Sequence, residues 1–282
     1  MRYKSLLTLA ASPNRVAPTL AAAAGLARSF DAHLDALAVG VDRTQVGYSY
    51  VGSGAVMLQM ALERAEEEAR RTEAAMKTAL AAEGPDLRWG LETAVTQLGA
   101  LTELVAMRAR YADLVVLARP YGKATGPEDE AILEAAMFEG MAPVLVVPEK
   151  SAPLTGRFRH VVLAWNQSRE ALVAAKQALP FLTEAERVTI TVIDPAAHGP
   201  ERSDPGGLLC QFLVRHGVKA EVAVLARTLP RVSDVLARQC LDSNADLLVM
   251  GAYGHSRFRE AILGGATRNM LEAAELPVFM AH

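Results

Sequence analysis

Short apolar runs alternate along this chain with longer stretches in which apolar positions recur every three to four residues. The runs fall at 6–10, 34–41, 87–93, 114–118 and 144–147, and again at 160–165, 188–193, 220–225, 247–251 and 277–281. Most are aliphatic or β-branched and do not alternate with polar positions, which predicts strands buried on both faces and hence a parallel sheet. Helical periodicity predicts helices at 55–82 in the first half and at 169–182, 207–216, 232–243 and 266–274 in the second. Parallel strands separated by helices need right-handed crossovers, which lay helices on both faces of a sheet. The pattern therefore predicts an α/β chain of two tandem, doubly wound, five-stranded parallel-sheet domains of Rossmann-like type. They are placed at 1–149 and 157–282, with a linker at 149–159 near Pro148, Pro153 and Gly156.

Self-similarity supports this division. Ala112-Asp113-Leu114-Val115-Val116-Leu117-Ala118 returns as Ala245-Asp246-Leu247-Leu248-Val249-Met250-Gly251. Farther along, Ala142-Pro143-Val144-Leu145-Val146-Val147-Pro148 is echoed by Leu276-Pro277-Val278-Phe279-Met280-Ala281. Each half opens with an apolar run, then Ser or Asn, then a helix. The charged series Glu63, Arg64, Glu66, Glu67, Glu68, Arg70 and Arg71 reads as the solvated face of the long helix.

Composition narrows the class. Hydrophobic residues at 51% and charged ones at 22% exclude a disordered chain. The length of 282 residues suits two domains. A net charge of −3 supplies no broad cationic field, so no nucleic-acid partner is expected. No apolar stretch approaches the roughly 20 residues that cross a bilayer, so no membrane partner is expected either. The basic start at Met1 to Lys4 and the apolar 5–11 have the outline of a secretory leader. The apolar part barely reaches the minimum of about 7 residues for such a leader, and a buried first strand is the better reading. Cys210 and Cys240 are too few for a disulfide framework and read as small core residues, which fits a reducing, cytoplasmic compartment. Asp31, His33 and Asp35 alternate as metal ligands would, but without a fourth ligand they read as the surface start of a strand, and no metal site is assigned.

In an open α/β sheet ligands bind beyond the carboxyl ends of the strands, where strand order reverses. The segment after the fourth strand of the second half carries Gly251, Gly254, Gly264 and Gly265, spaced Gly-x2-Gly-x9-Gly-Gly, before the last helix. Glycines there permit positive φ and close approach of a ligand to the backbone. The amides of Gly265, Ala266 and Thr267 open that helix, where unpaired donors and the helix dipole favour a phosphate. Arg257, Arg259 and Arg268 are placed to add charge-assisted bonds.

On these residues the chain resembles the universal stress proteins, in the arrangement with two domains in one chain. The resemblance is carried by the glycine spacing, by Ala245 to Met250, by Pro277 to Met280 and by Val161 to Ser168. It implies a stress-response regulator that binds ATP or ADP, with Mg²⁺ bridging the phosphates, and whose halves pack as an intramolecular pseudo-dimer, with a homodimer also open. It assigns nucleotide binding to Trp165, Asn166, Ser168 and the backbone near Ile193 on the adenosine side. Met250, Gly251, Gly254, Gly264, Gly265, Ala266 and Thr267 lie on the phosphate side. Two positions depart from the family pattern. Gly265 stands where a hydroxyl residue follows the last glycine, for which Thr267 could substitute, and Asn166 stands in place of an Asp.

The first half departs further. Pro120 and Pro127 remove amide donors, and Glu128, Asp129 and Glu130 would repel a phosphate where the next helix begins. The residue matching the adenosine-side Asp is Ala10 or Ala11. No nucleotide is expected in this degenerate half. The glycine–tyrosine stretch in 42–54 has no assigned role. Asn166 and Trp165 also have a purely structural reading, as helix cap and core residue. No catalytic residue is assigned, for neither a phosphate-loop Gly-Lys-Ser/Thr nor a nucleophile elbow is present. Two alternatives remain: a protein-interaction module of the same fold that binds no nucleotide, and a nucleotide-using enzyme with weak ATPase or adenylating activity.

Overall fold

A computed structural model describes residues 2–44, 54–122, 125–149, 154–195, 198, 203–252 and 265–282. Strand and helix alternate as β1 (Ser5–Ala10), α1 (Val16–Phe30), β2 (His33–Asp42), α2 (Gly54–Ala82), β3 (Arg88–Gln97), α3 (Leu101–Ala109), β4 (Leu114–Ala118), α4 (Pro127–Phe138) and β5 (Val144–Val147). The order continues with β6 (His160–Trp165), α5 (Arg169–Gln177), α6 (Leu179–Leu182), β7 (Arg187–Ile193), α7 (Gly207–Arg215), β8 (Ala220–Leu225), α8 (Val232–Asp242), β9 (Leu247–Gly251), α9 (Ala266–Ala273) and β10 (Val278–Ala281). One compact unit is Tyr3–Ala142 with Ala152–Leu154; the other takes Pro143–Ser151 and Thr155–His282, with Met1–Arg2. Among the described residues no helix is long and apolar enough to cross a membrane.

In the first unit the strands lie in the order β3-β2-β1-β4, all parallel. β1 and β4 are apolar because both of their faces are covered, and Leu6 and Leu114 are inaccessible to solvent. Each fully buried Leu contributes roughly 1.5–3 kcal/mol of transfer free energy. Thr8 is the polar exception in β1, and its hydroxyl is satisfied by donating to the Val116 carbonyl at 2.9 Å. α1 ends at Asp31, which adopts the left-handed conformation (φ 53) that Asp tolerates better than most side chains. Asp31 lies outside β2 and forms ion pairs with Lys4 and Arg88, while His33 pairs with Asp35 at 3.3 Å. His33 and Asp35 thus form the charged start of β2, with Asp31 before it as the C-cap of α1, and among the described residues no His, Cys, Asp or Glu cluster could hold a metal ion.

The second unit has the order β5-β10-β9-β6-β7-β8. Four of its neighbouring pairs are parallel, but β5 runs antiparallel to β10. This departs from the all-parallel expectation, and its register is informative. Val278 pairs with Val146, Phe279 with Leu145 and Met280 with Val144. These two four-residue strands are the echoed Pro-Val segments of the sequence, paired about Leu145 and Phe279 so that each is the partner of its own repeat. The helix expected over 169–182 breaks at Ala178, where Pro180 enters the first turn of α6. Phe158, Phe181 and Phe279 stack edge to face at 5.3 and 5.9 Å in the core.

The repeated Ala-Asp-Leu has a structural cause. Asp113 accepts from the amides of Lys4 and Ser5 at 2.6 and 3.0 Å, and its own amide donates to the Ser5 carbonyl. Asp246 does the same in the second unit, accepting from Arg159 and His160 at 2.9 and 3.0 Å and donating to the His160 carbonyl. In each unit a carboxylate at the start of the fourth strand fixes the start of the first strand beside it, and so sets the register of the pair.

Candidate functional site

Strand order in the second unit reverses between β6 and β9, so their carboxyl ends frame the place where a ligand is expected. β6 closes with Trp165, which is buried. The chain then turns through Asn166 and Gln167, the latter at positive φ (63), into Ser168. Asn166 Oδ1 accepts from the Ser168 amide at 3.1 Å, and Ser168 Oγ accepts from the Ala171 amide at 3.1 Å as the N-cap of α5. Both side chains therefore serve the helix start, the role that Asn and Ser fill by reaching orphan amides. Asn166 is exposed.

β9 ends in Met250, which is buried, and Gly251, which is half-buried. A Cβ on Gly251 would stand 2.4 Å from the Ala171 amide nitrogen and 2.6 Å from the Glu170 carbonyl carbon. The glycine is there to admit the first turn of α5, so the close approach expected of a ligand is made by the chain itself. Ser168 and Gly251 are thereby brought to the same helix start. Gly254 and Gly264 lie outside the described residues.

The far side of the site is the start of α9. Gly265 is its N-cap, extended in ψ (φ −59, ψ 157), and being glycine it brings no capping side chain of its own. Ala266 is exposed and Thr267 is 2% exposed. Thr267, expected to supply a hydroxyl in place of the one missing at 265, is thus buried in the first turn of α9. Arg268 is paired with Glu272 at 3.0 Å along the exposed face of α9. Ile193 ends β7 half-buried, and the next residue, Asp194, has φ 49 and donates its amide to the Leu225 carbonyl at 2.9 Å. The described part of the site offers main-chain groups from three strand ends and one helix start with glycine at its N-cap.

The corresponding place in the first unit is built from charge. There the carboxyl ends of β1 and β4 meet α4, and Arg15 Nη1 lies 2.6 Å from Asp129 Oδ2. Arg43 pairs with Glu128 at 2.6 Å and with Glu68 at 2.9 Å. The Tyr121 hydroxyl donates to Glu130 at 2.7 Å. Sequence reasoning noted the three acids but missed the two arginines, which lie 85 and 114 positions away in partnership terms that no local motif encodes.

Comparison with known proteins agrees with this architecture. The model of the universal stress protein family matches residues 157–282. Universal stress protein Slr1230 of Synechocystis sp. is 28% identical over 141 residues, which is 48% of this chain and 45% of that protein. The chain thus spans less than half the length of that curated relative. The crystal structure of a universal stress protein from Archaeoglobus fulgidus superposes with a TM-score of 0.66 at 16% identity, covering 98% of this chain and 95% of the other. A functionally unknown protein from Pseudomonas aeruginosa PAO1 gives 0.58 at 14% identity, covering 99% and 92%. At such identities the likeness is one of fold. Residues 157–282 are thus similar to the universal stress protein family.

Proposed function

We propose that 157–282 is an adenine-nucleotide-binding domain, that 1–149 is its degenerate counterpart, and that the chain acts as a cytoplasmic stress-response regulator without dedicated catalysis. The observation that carries this reading is the start of α9, where a glycine, Gly265, is the N-cap of a helix that opens beside the switch point of the sheet. Main-chain amides and the helix dipole at such an end favour an anion. ATP or ADP would set its phosphates there, with Gly254 and Gly264 shaping the approach, and its adenosine toward the ends of β6 and β7. No acidic cluster for a metal is present among the described residues, so Mg²⁺ would be held chiefly by the phosphates and water.

A second reading is favoured by specific contacts. Ser168 is engaged in capping α5 and Asn166 in the turn before it, Gly251 is closed off by that helix, and Thr267 is buried. A domain so arranged also suits a protein-interaction module that binds no nucleotide. Acid release of adenine nucleotide from the purified protein, followed by ATP titration of wild type and Gly254→Val, separates the two. Thermal stabilisation by ATP in the wild type, lost in the variant, is the expected result. The absence of a shift in either protein would favour the interaction module.

A further inference from the structure

The first unit contains a cleft of about 400 Å³ at the carboxyl ends of its strands, bordered by Ser12, Arg43, Glu68, Arg71 and Thr125 and floored by the start of α4. That floor has the parts of an oxyanion seat: a helix N-terminus, a glycine at the N-cap and two guanidinium groups. Carboxylates of the chain already fill it. Pro127 has no amide to offer, the Gly126 amide donates to Asp129 Oδ2 at 2.9 Å, and Glu128 accepts from its own amide. Arg15 holds Asp129 and also donates to the Arg119 carbonyl, while Arg43 holds Glu128.

The glycine shows how closely the fit is made. A Cβ on Gly126 would stand 2.4–2.6 Å from the three terminal atoms of Glu128. Its φ of −112 is open to any residue. Glycine at 126 leaves the space in which the Glu128 carboxylate folds back over the helix start, and a Cβ there would make this flexible side chain shift. Glu128 itself is only 6% exposed.

We propose that Glu128 and Asp129 act as an internal ligand of the first unit, an autoinhibitory contact in which two carboxylates occupy a seat suited to a phosphoryl-type oxyanion and keep it closed to one. All of these groups belong to the first unit, so the seat exists whether or not the second unit binds nucleotide.

The test uses the full chain and inorganic pyrophosphate, titrated calorimetrically at neutral pH. Asp129→Asn with Glu128→Gln is expected to gain one pyrophosphate site over the wild type, at least tenfold tighter than any residual wild-type binding in the first unit. Adding Arg43→Gln to that background should abolish the gain. Glu63→Gln with Glu66→Gln, which changes net charge equally on the exposed face of α2, should gain no site. Circular dichroism verifies folding, and if the double variant does not fold, Glu128→Gln alone decides by the same criterion. An unchanged stoichiometry in a folded variant, a gain that survives Arg43→Gln, or an equal gain in the α2 control would overturn the proposal.

Discussion

Single carboxylates do much of the work of register in this chain. Asp113 and Asp246 each take two main-chain donors at the start of a first strand, and those donors lie 108–109 and 86–87 residues away in sequence. Removing such an acceptor leaves backbone amides without their charged partner, which costs about 1–3 kcal/mol where water cannot replace it. Asp246→Ala is accordingly expected to lower stability by about that much in urea unfolding, whereas Asp242→Ala, on the exposed face of α8, should change it little. An equal, small effect for both would show that the repeated Asp does not organise the strand start. The sequence displayed the repeat clearly and its Asp with it. The long-range hydrogen bonds that explain the residue were not legible, because no local pattern says which amide a carboxylate will find.

At the scale of elements, periodicity located most strands and helices, since a strand buried on both faces leaves an unmistakable apolar run. It did less well where packing chooses between similar options. β3 reaches Gln97, past the expected end at 93, because the long β2 offers it a partner through Asp42. The helix after β6 divides at Ala178 because Pro180 cannot continue its hydrogen bonding. The candidate site shows the same limit. Its glycine positions could be read, but Gly251 proved to serve the contact with α5.

The first turn of α4 gives a prediction of sign. Burial opposes the charge on Glu128, but hydrogen bonding to Arg43 and its own amide, with the charges of Arg43 and Arg15, outweighs it and holds the carboxyl below its ordinary 4.5. This contribution to stability is present above that ordinary value and is lost as pH falls below it, through the depressed value of the folded state. Asp129 has the opposite sign, because burial outweighs its Gly126 and Arg15 contacts and raises its carboxyl above 3.8. Denaturant unfolding of Glu128→Gln should therefore show its largest deficit against the wild type near pH 7, narrowing once pH drops below 4.5. A deficit that stays constant across that range would mean that the carboxylate's charge is not what stabilises the turn.

For the whole molecule, the pairing of β5 with β10 has the most far-reaching effect. β5 comes from the first half of the sequence yet is part of the second unit, where it covers one side of β10. A fragment restricted to 157–282 would lack it and would expose an apolar four-residue edge, the kind of edge that pairs with whatever strand is available. The observed register shows that this segment pairs well with its own repeat, so two such fragments are expected to join through β10. Light scattering should find a dimer, and Met280→Pro, which removes an amide from that edge, should yield the monomer. A monomeric wild-type fragment would count against this account. In the intact chain the borrowed strand works as a stopper, seated in cis on the surface that would otherwise recruit another molecule. Self-association of the full-length protein must therefore begin somewhere else.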